Sequence, residues 1–475
     1  MTPLDAFSHE CRTRLARPAA LLGLAMYAAA LIYGAVSGRI ERDARIEAIA
    51  RHDADIAARM QKWSTDLKSF QETGAQGGAP PWSGSAMDVV FASSLPPAPL
   101  ADFAVGQSDL LPYAGALSLW DPDIRLFSRY EFEDPVSLAL GAFDLSKAVI
   151  LMLPIVLIAL CFDVVSAERD AHRLNLILVQ GGRIRSLCWS RLLIRAGAAA
   201  SLTMAIAVGA LVVHAGVATF ADRLAAFLWW GSALALYTTF WTAVIAFVAS
   251  RNGRGGANIV VLLLVWVNFT VILPASVSAV SEALYPAPSR LMYLAESREA
   301  EVAAELADAA LRRQFALDHP EFVVNDAADM PGYVRTAFLV TTAVDEATRP
   351  IMDAFDAAAA QRENTLTALQ YLSPAIVMHG VFNDLAGASS ARHRRYMTQA
   401  KAFKAQFGQQ VRASVMSGGR LRSRDVAAIP QFQFADQPWA ARVGRTLGAL
   451  LFLTIAASVL LVVADIRLRR ASVYC

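Results

Sequence analysis

A short charged segment directly follows a long apolar stretch of the chain. Its polar residues are Ser166, Glu168, Arg169, Asp170 and Arg173. Apolar residues then recur at steps of three or four, at Ala167, Ala171, Leu174 and Leu178, which predicts one apolar stripe on a helix over 166–180. Gly181-Gly182 ends the pattern. Such a helix can rest on a membrane, insert into a groove of a partner protein, or lie in solvent without a partner.

Side chains suited to catalysis or metal binding are few and scattered. Neither H-E-x-x-H nor C-x-x-C occurs. His379, Asp384 and His393 could meet as metal ligands, although capping and pairing of helices is the commoner role of such residues. The glycine-rich stretches GGRIRSL and GRGGANI lack the lysine of a phosphate-binding loop. We therefore expect no catalytic residue, no metal site and no cofactor bound by this chain.

The composition indicates a membrane protein. Hydrophobic residues make up 56% of the chain and charged residues 18%, and the mean hydropathy is +0.40. Soluble domains carry about a quarter charged residues. Six stretches with few or no charges are long enough to cross a bilayer as helices. The predicted spans are 18–38, 145–162, 196–220, 224–250, 257–280 and 445–466, and the fold class is an all-α polytopic membrane protein.

The distribution of arginine predicts the topology. Arginines cluster before the first span, between the second and third, between the fourth and fifth, and after the sixth. Positive charge is retained in the cytoplasm, so both termini are expected there. The cytoplasmic parts are then an amphipathic helix over 1–17, the segment 163–195 and a tail over 467–475. The net charge of +2 gives no indication of a nucleic-acid partner.

Two long segments, 39–144 and 281–440, fall on the opposite side and predict one mainly helical periplasmic domain. The first begins as a helix continuing from the first span, and a stretch rich in Gly and Pro over 74–99 interrupts it. Short extended pieces follow up to Asp144. Helical patterns in the second segment cover 297–318, 334–372 and 390–415.

Polar and helix-bending residues within the spans could line a path through the membrane. These residues are Pro154 in the second span and Asn268, Thr270 and Pro274 in the fifth. Both prolines predict kinks. The alternative for the two polar residues is a hydrogen bond that bridges neighbouring helices.

Residues 135–195 resemble the ABC-2 type permeases of ATP-binding cassette transporters. In that family the second span ends in an aspartate, and a segment similar to S-x-E-R-x-x-G-x-L-x-L-L-L-x-x-P follows. The matching positions here are Asp163, Ser166, Glu168, Arg169, Leu174, Leu176, Leu178 and Arg191. His172 stands where glycine is usual, and Gly181 stands where proline is usual. Residues 369–403 resemble a subgroup with a large outer domain of unknown function, through Leu372-Ser373-Pro374, Ala386-Gly387, Arg392-His393 and Tyr396, and His319-Pro320-Glu321 also fits.

The resemblance implies a six-helix permease of the type V class in the bacterial inner membrane. Its partners would be cytoplasmic ABC ATPase subunits, which hold ATP and Mg, a second permease subunit (identical or related), membrane lipids and a periplasmic partner. The predicted helix over 166–180 would be the coupling helix, which sits in a cleft of the ATPase. Its contact residues would be Ser166, Glu168, Arg169, Asp170, Arg173, Leu174 and Leu178. The alternative is an ATPase-coupled mechanotransmitter or sensor that moves no substrate, and a weaker one is a membrane-anchored outer hydrolase. The substrate and the direction of transport stay open.

Overall fold

Within the residues that the structure describes, six helices are long and apolar enough to cross a membrane, which confirms the number predicted from the sequence. The computed structural model describes residues 10–73, 83–106, 112–123, 143–173, 179, 184–213, 220–251, 253–286, single positions between 295 and 317, and 332–471.

The described helices, in chain order, begin with a π-helical turn at Cys11–Leu15 and α1 at Pro18–Thr73. The next four are α2 Leu145–Cys161, α3 Ser166–Asp170, α4 Ile184–Val213 and α5 Phe220–Ala249. The fifth span consists of α6 Gly255–Val267, a π-helical turn Asn268–Ile272 and α7 Leu273–Leu284. The last four are α8 Gly332–Leu369, α9 Pro374–Ala386, α10 Ser390–Met416 and α11 Trp439–Ala471.

The bundle has two ends. We call the end that carries residues 10–17, 163–173, 250–251 and 253–254 the basic face, and the opposite end the domain face. Helix α1 has 56 residues, which corresponds to about 84 Å at 1.5 Å per residue. It therefore crosses the bundle and continues far beyond the domain face, as its unbroken pattern predicted. Gly34 and Gly38 let α1 approach the backbones of Asp144 and Asp102, because a Cβ at either glycine would lie under 3 Å from them.

Helices α2 and α5 form the centre of the bundle. Leu153, Leu157 and Trp241 are fully buried there. Two tyrosine hydroxyls in this core bond to neighbouring helices, because the bilayer offers no water to satisfy them. The Tyr237 hydroxyl donates to the Ile150 carbonyl at 2.9 Å, and the hydroxyls of Tyr27 and Thr203 lie 2.8 Å apart.

A second hydrophobic core lies beyond the domain face. It joins the far end of α1 to α8, to α10 and to an antiparallel pair of strands, β1 Val90–Ser94 and β2 Ala114–Ser118. Phe91 of β1 packs edge-on against Phe403 and Phe407 of α10. Helix α1 ends at Thr73, where the stretch rich in Gly and Pro begins. Strand β1 lies within that stretch and β2 in the segment predicted to be extended, and the described part of the domain is otherwise mainly helical.

One part of the predicted outer segment 281–440 instead packs inside the bundle. Helix α9 buries Met378, Phe382 and Leu385 against α2, α5 and α11. Phe382 stacks on Trp230 of α5, with ring centroids 5.2 Å apart. A 13-residue apolar helix is too short to cross a bilayer, and such a length is typical of a buried or re-entrant helix. Assigning these residues to the outer domain was therefore wrong.

Helix α8 and helix α9 form a hairpin that enters the bundle from the domain face. The end of α8 runs beside α7, where the Ser281 hydroxyl donates to the Arg362 carbonyl. The chain turns at Gln370–Leu372. At this turn the ring of Tyr371 contacts that of Phe452, at 5.0 Å between centroids, and Phe452 lies well inside α11. The hairpin tip therefore reaches toward the middle of the apolar layer.

Candidate functional site

The segment that follows α2 forms a short helix of its own. Helix α2 ends at Cys161, a turn follows, and α3 covers only Ser166–Asp170. His172 has a φ of 55°, a left-handed conformation that ends the helix and that glycine adopts most readily. The uninterrupted helix predicted over 166–180 is thus wrong at 171–173. This is also the position where the resembling permeases carry glycine.

Two arginines of α4 close the end of α2. Arg191 donates to the Val164 carbonyl at 3.0 Å, and Arg195 donates to the Leu160 carbonyl at 2.7 Å. The last carbonyl groups of a helix lack partners within the helix, and cations near this end are favourable. The segment 163–195 was predicted as a helix and a loop before the third span, but α4 begins already at Ile184 and carries both arginines.

Three carboxylates neutralise these arginines. Glu168 of α3 pairs with Arg191 at 2.8 Å. Glu10 pairs with Arg191 at 2.9 Å and with Arg195 at 3.0 Å, and Asp163 pairs with Arg195 at 3.0 Å. All of these side chains are at least four-fifths buried. We call these five residues, together with Arg14 and Arg173, the ion-pair cluster.

Two further ion pairs, which are more exposed, lie at the edges of the ion-pair cluster. Arg14 of the N-terminal turn pairs with Asp163 at 2.8 Å, and Arg173 pairs with Glu168 at 2.9 Å. The cluster thus connects the N-terminal segment, the end of α2, α3 and α4. Sequence reasoning missed Glu10. The signal that could have found it is the i, i+4 spacing of Arg191 and Arg195 at the edge of an apolar helix, which requires carboxylates nearby.

The opposite side of α3 contacts the start of the fifth span. The Gly255 amide donates to the Asp170 carboxylate at 3.3 Å, and Arg169 donates to the Gly253 carbonyl at 3.3 Å. A Cβ at Gly255 would lie 3.2 Å from the Ser166 hydroxyl oxygen. That hydroxyl is buried and has no hydrogen-bond partner among the described residues. Helix α3 is therefore held between the third and fifth spans.

The predicted coupling residues divide into two groups. Ser166 and Glu168 are buried and contact other parts of the same chain. Asp170 and Arg173 are exposed, as are the intervening Ala171 and His172. Leu174 and Leu178 lie outside the described residues. A partner protein on the basic face would therefore meet the surface formed by residues 170–173, and not the carboxylate of Glu168.

The four residues predicted to line a path do not share one surface. Pro154 and Thr270 are buried inside the chain, whereas Asn268 is exposed and Pro274 is half-buried. Proline lacks an N–H and clashes with the carbonyl four residues earlier. Accordingly, the turn before Pro274 widens to a π-helix, in which the Leu273 amide donates to the Asn268 carbonyl. π-helical turns within α-helices are frequent at functional positions.

The π-helical turn is bonded to the hairpin tip. Ser373, the N-cap of α9, accepts hydrogen bonds from the Ala375 and Ile376 amides and donates its own proton to the Phe269 carbonyl. Pro374 occupies the first position of α9, where no N–H is needed. One buried hydroxyl therefore connects the middle of the fifth span to the helix that enters from the domain face.

The residues considered as metal ligands each have another partner. His379 Nδ1 contacts the Asn383 amide nitrogen at 2.9 Å, Asp384 pairs with Arg445, and His393 Nε2 contacts the Pro112 carbonyl at 2.8 Å. In the part of the chain that the structure describes, no three His, Cys, Asp or Glu side chains lie together as metal ligands do.

Comparison with known proteins gives one match. A family described as a domain of unknown function, DUF3526, matches residues 290–435. The matched region runs from the end of the fifth span to shortly before the sixth, and it includes α8, α9 and α10. It covers less than half of the chain. No curated protein and no solved structure matches the sequence.

Proposed function

We propose that this chain is the membrane-spanning permease subunit of an ATP-driven transporter, whose ATPase is a separate protein bound at the basic face. The ABC-2 type resemblance of 135–195 motivates the proposal, and the placement of α3 carries it. Helix α3 lies at the basic face and is anchored to the bundle by its buried residues. The residues at its end and just after it, 170–173, are exposed to solvent and could contact a partner.

Motion of α3 would reach the interior of the bundle through fixed contacts. Glu168 ties α3 to Arg191 of α4, and Asp170 ties it to the start of α6. Breaking one member of a buried ion pair costs about 3–5 kcal/mol. A push on the exposed surface would therefore displace α2, α4 and α6 together and would not simply bend α3. This is the mechanical property that an ATPase-driven helix needs.

The exposed face of the fifth span is the reason to expect a second permease subunit. It is the least buried of the six spans, and Asn268, Ser276 and Ser278 are exposed along it. Exposed polar side chains in the middle of a membrane helix are unfavourable against lipid and normally face protein or water. We assign this face to a second copy of the chain, with the transport path between the two copies.

A mechanotransmitter without transport is the second candidate, and the packing within one chain favours it. The core between α2, α4, α5, α9 and α11 is apolar and close-packed in the described residues, so a path through a single chain has no support. Helix α1 also runs without interruption from the bundle into the outer domain. An absence of any path between two copies would make this candidate the better one.

The proposal is tested by reversing one exposed charge of α3's outer surface. Arg173 directly follows α3 and is 59% exposed, so its ion pair with Glu168 contributes less than about 1 kcal/mol and R173E changes mainly the surface. The matched control is R470E, an exposed arginine at the same face, on α11. Tagged full-length protein is purified from its native membranes, and co-purified proteins are identified by mass spectrometry and assayed for ATP hydrolysis.

The expected result is a stoichiometric ATPase with a G-x-x-x-x-G-K-[ST] loop that co-purifies with the wild type and with R470E. Its yield with R173E should fall about tenfold or more, while the amount of R173E in the membrane is unchanged. Co-purification of the ATPase with R173E at the wild-type yield would contradict the assignment of α3. Recovery of no ATPase with the wild type would contradict the function itself.

A further inference from the structure

A group of arginines faces a shallow concavity at the domain end of the sixth span. The volume of the concavity is about 220 Å³ when the open solvent at its mouth is counted. Arg392 and Arg395 of α10 line one side, and Arg442 and Arg445 of α11 line the other. Each pair is spaced i, i+3, which places both of its members on the same side of a helix. Two arginine pairs on separate helices therefore converge on one opening.

The carboxylates in the concavity neutralise only part of this charge. Asp436 pairs with both Arg392, at 2.8 Å, and Arg442. Asp384 pairs with Arg445 at 3.3 Å. Four arginines against two aspartates leave a net charge of +2 (4 − 2). Arg395 is half-buried, and within the described part of the chain no carboxylate, carbonyl or ring contacts its guanidinium.

The electrostatics of the paired groups agree with a local excess of positive charge. Burial alone would raise the pKa of Asp436, but Arg392 and Arg442 hold that pKa below its ordinary value. Burial lowers the pKa of Arg392, Asp436 opposes this shift, and the neighbouring Arg442 charge lowers the pKa further. An additional anion at the mouth would be attracted to this group.

The position of the concavity along the sixth span points to the level of the lipid headgroups. Arg442 and Arg445 belong to the first turns of α11, directly before the apolar run 447–464. Trp439 starts the same helix and is partly exposed, as is typical of residues at a membrane interface. Arginine binds phosphate oxygens through two parallel N–H donors, which gives both strength and orientation.

We propose that this arginine concavity binds a phosphate ester, and that its source is the headgroup of an anionic phospholipid in the adjacent leaflet. The phosphate oxygens would meet Arg395 and the remaining donors of Arg442, and Arg445 would add its charge, while the acyl chains lie along α11. The concavity is shallow and open to solvent, so a phosphate would lie at its mouth, which fits a headgroup presented from the membrane. The proposal is independent of the transport function.

The test compares lipid binding by R395Q and R349Q. Among the described residues Arg395 has no partner whose loss would disturb the fold, and R349Q removes the same charge from an exposed position of α8. Full-length protein is held in detergent, and binding of dioleoyl phosphatidylglycerol, dioleoyl phosphatidylcholine or inorganic phosphate is measured by native mass spectrometry. Circular dichroism checks that each variant is folded, and R395K provides a milder second variant.

We expect the wild type and R349Q to bind phosphatidylglycerol more tightly than phosphatidylcholine. R395Q should weaken phosphatidylglycerol binding roughly tenfold, as for the loss of one charge-assisted hydrogen bond. The affinity of R395K for phosphatidylglycerol should lie between those of the wild type and R395Q, because a lysine keeps the charge but not the paired donors. Inorganic phosphate binding that depends on Arg395, with no preference among the lipids, would overturn the membrane source of the phosphate. Equal phosphatidylglycerol binding by R395Q and R349Q would overturn the site altogether.

Discussion

Glu168 provides the sharpest test of how the basic face is built. The resemblance predicted that this carboxylate contacts a partner ATPase, whereas the structure buries it to 6% exposure and pairs it with Arg191 and Arg173. E168Q keeps the shape of the side chain and removes its charge. Among the described residues, Arg191 then keeps Glu10 alone as an anionic partner, at 2.9 Å.

The expected loss of stability lies at the lower end of the range for a broken buried ion pair. We expect E168Q to lower the free energy of unfolding by about 3 kcal/mol. E47Q is the matched control, because Glu47 pairs with Arg51 on the exposed surface of α1, where both side chains are about 70% exposed. Such a pair contributes less than about 0.5 kcal/mol. Equilibrium unfolding in mixed micelles of dodecyl maltoside and SDS measures both.

The result also separates two roles for Glu168. If Glu168 only positions α3, E168Q should lower the free energy of unfolding, and any loss of ATPase binding should follow from that unfolding. The variant should then bind the ATPase normally at temperatures where it is fully folded. A stability of E168Q within about 0.5 kcal/mol of E47Q would refute the buried ion pair. A loss of ATPase binding without a loss of stability would instead place Glu168 in direct contact with the partner.

Two further predictions concern the hairpin and the arginine concavity. S373A leaves the Phe269 carbonyl without its donor and removes the N-cap of α9, so it should lower the free energy of unfolding by about 2–3 kcal/mol. The control S64A, on an exposed turn of α1, should change this free energy by less than about 0.5 kcal/mol. Equal effects of the two variants in the same micelle assay would contradict the contact between Ser373 and Phe269. The lowered pKa of Asp436 means that its contribution to stability is complete above the ordinary aspartate value of about 4 and is lost as the pH falls through the lowered folded-state pKa. D436N should therefore flatten the acid dependence of unfolding below about pH 4, and an acid limb identical to that of the wild type would show that the carboxylate is not paired.

The sequence by itself determined the features that depend on neighbouring residues. Six helices with apolar windows are visible in any hydropathy plot, because crossing hydrocarbon requires a continuous run of apolar side chains. The continuation of α1 past the first span and the break before β1 follow from local pattern and from Gly and Pro. The number of spans and the mainly helical outer domain could therefore be predicted.

Only the tertiary structure decided which residues face inward. Arg191 and Arg195 share a partner in Glu10, about 180 residues away along the chain, and no local pattern records such a pairing. Helix α9 is apolar, but its sequence does not say whether it packs in the outer domain or inside the bundle; contacts with Trp230 and the Phe269 carbonyl place it there. The inward position of Glu168 follows from the same cause. Burial of charges and of short helices is set by contacts between distant segments, whereas hydropathy over a contiguous run is a property of the chain alone.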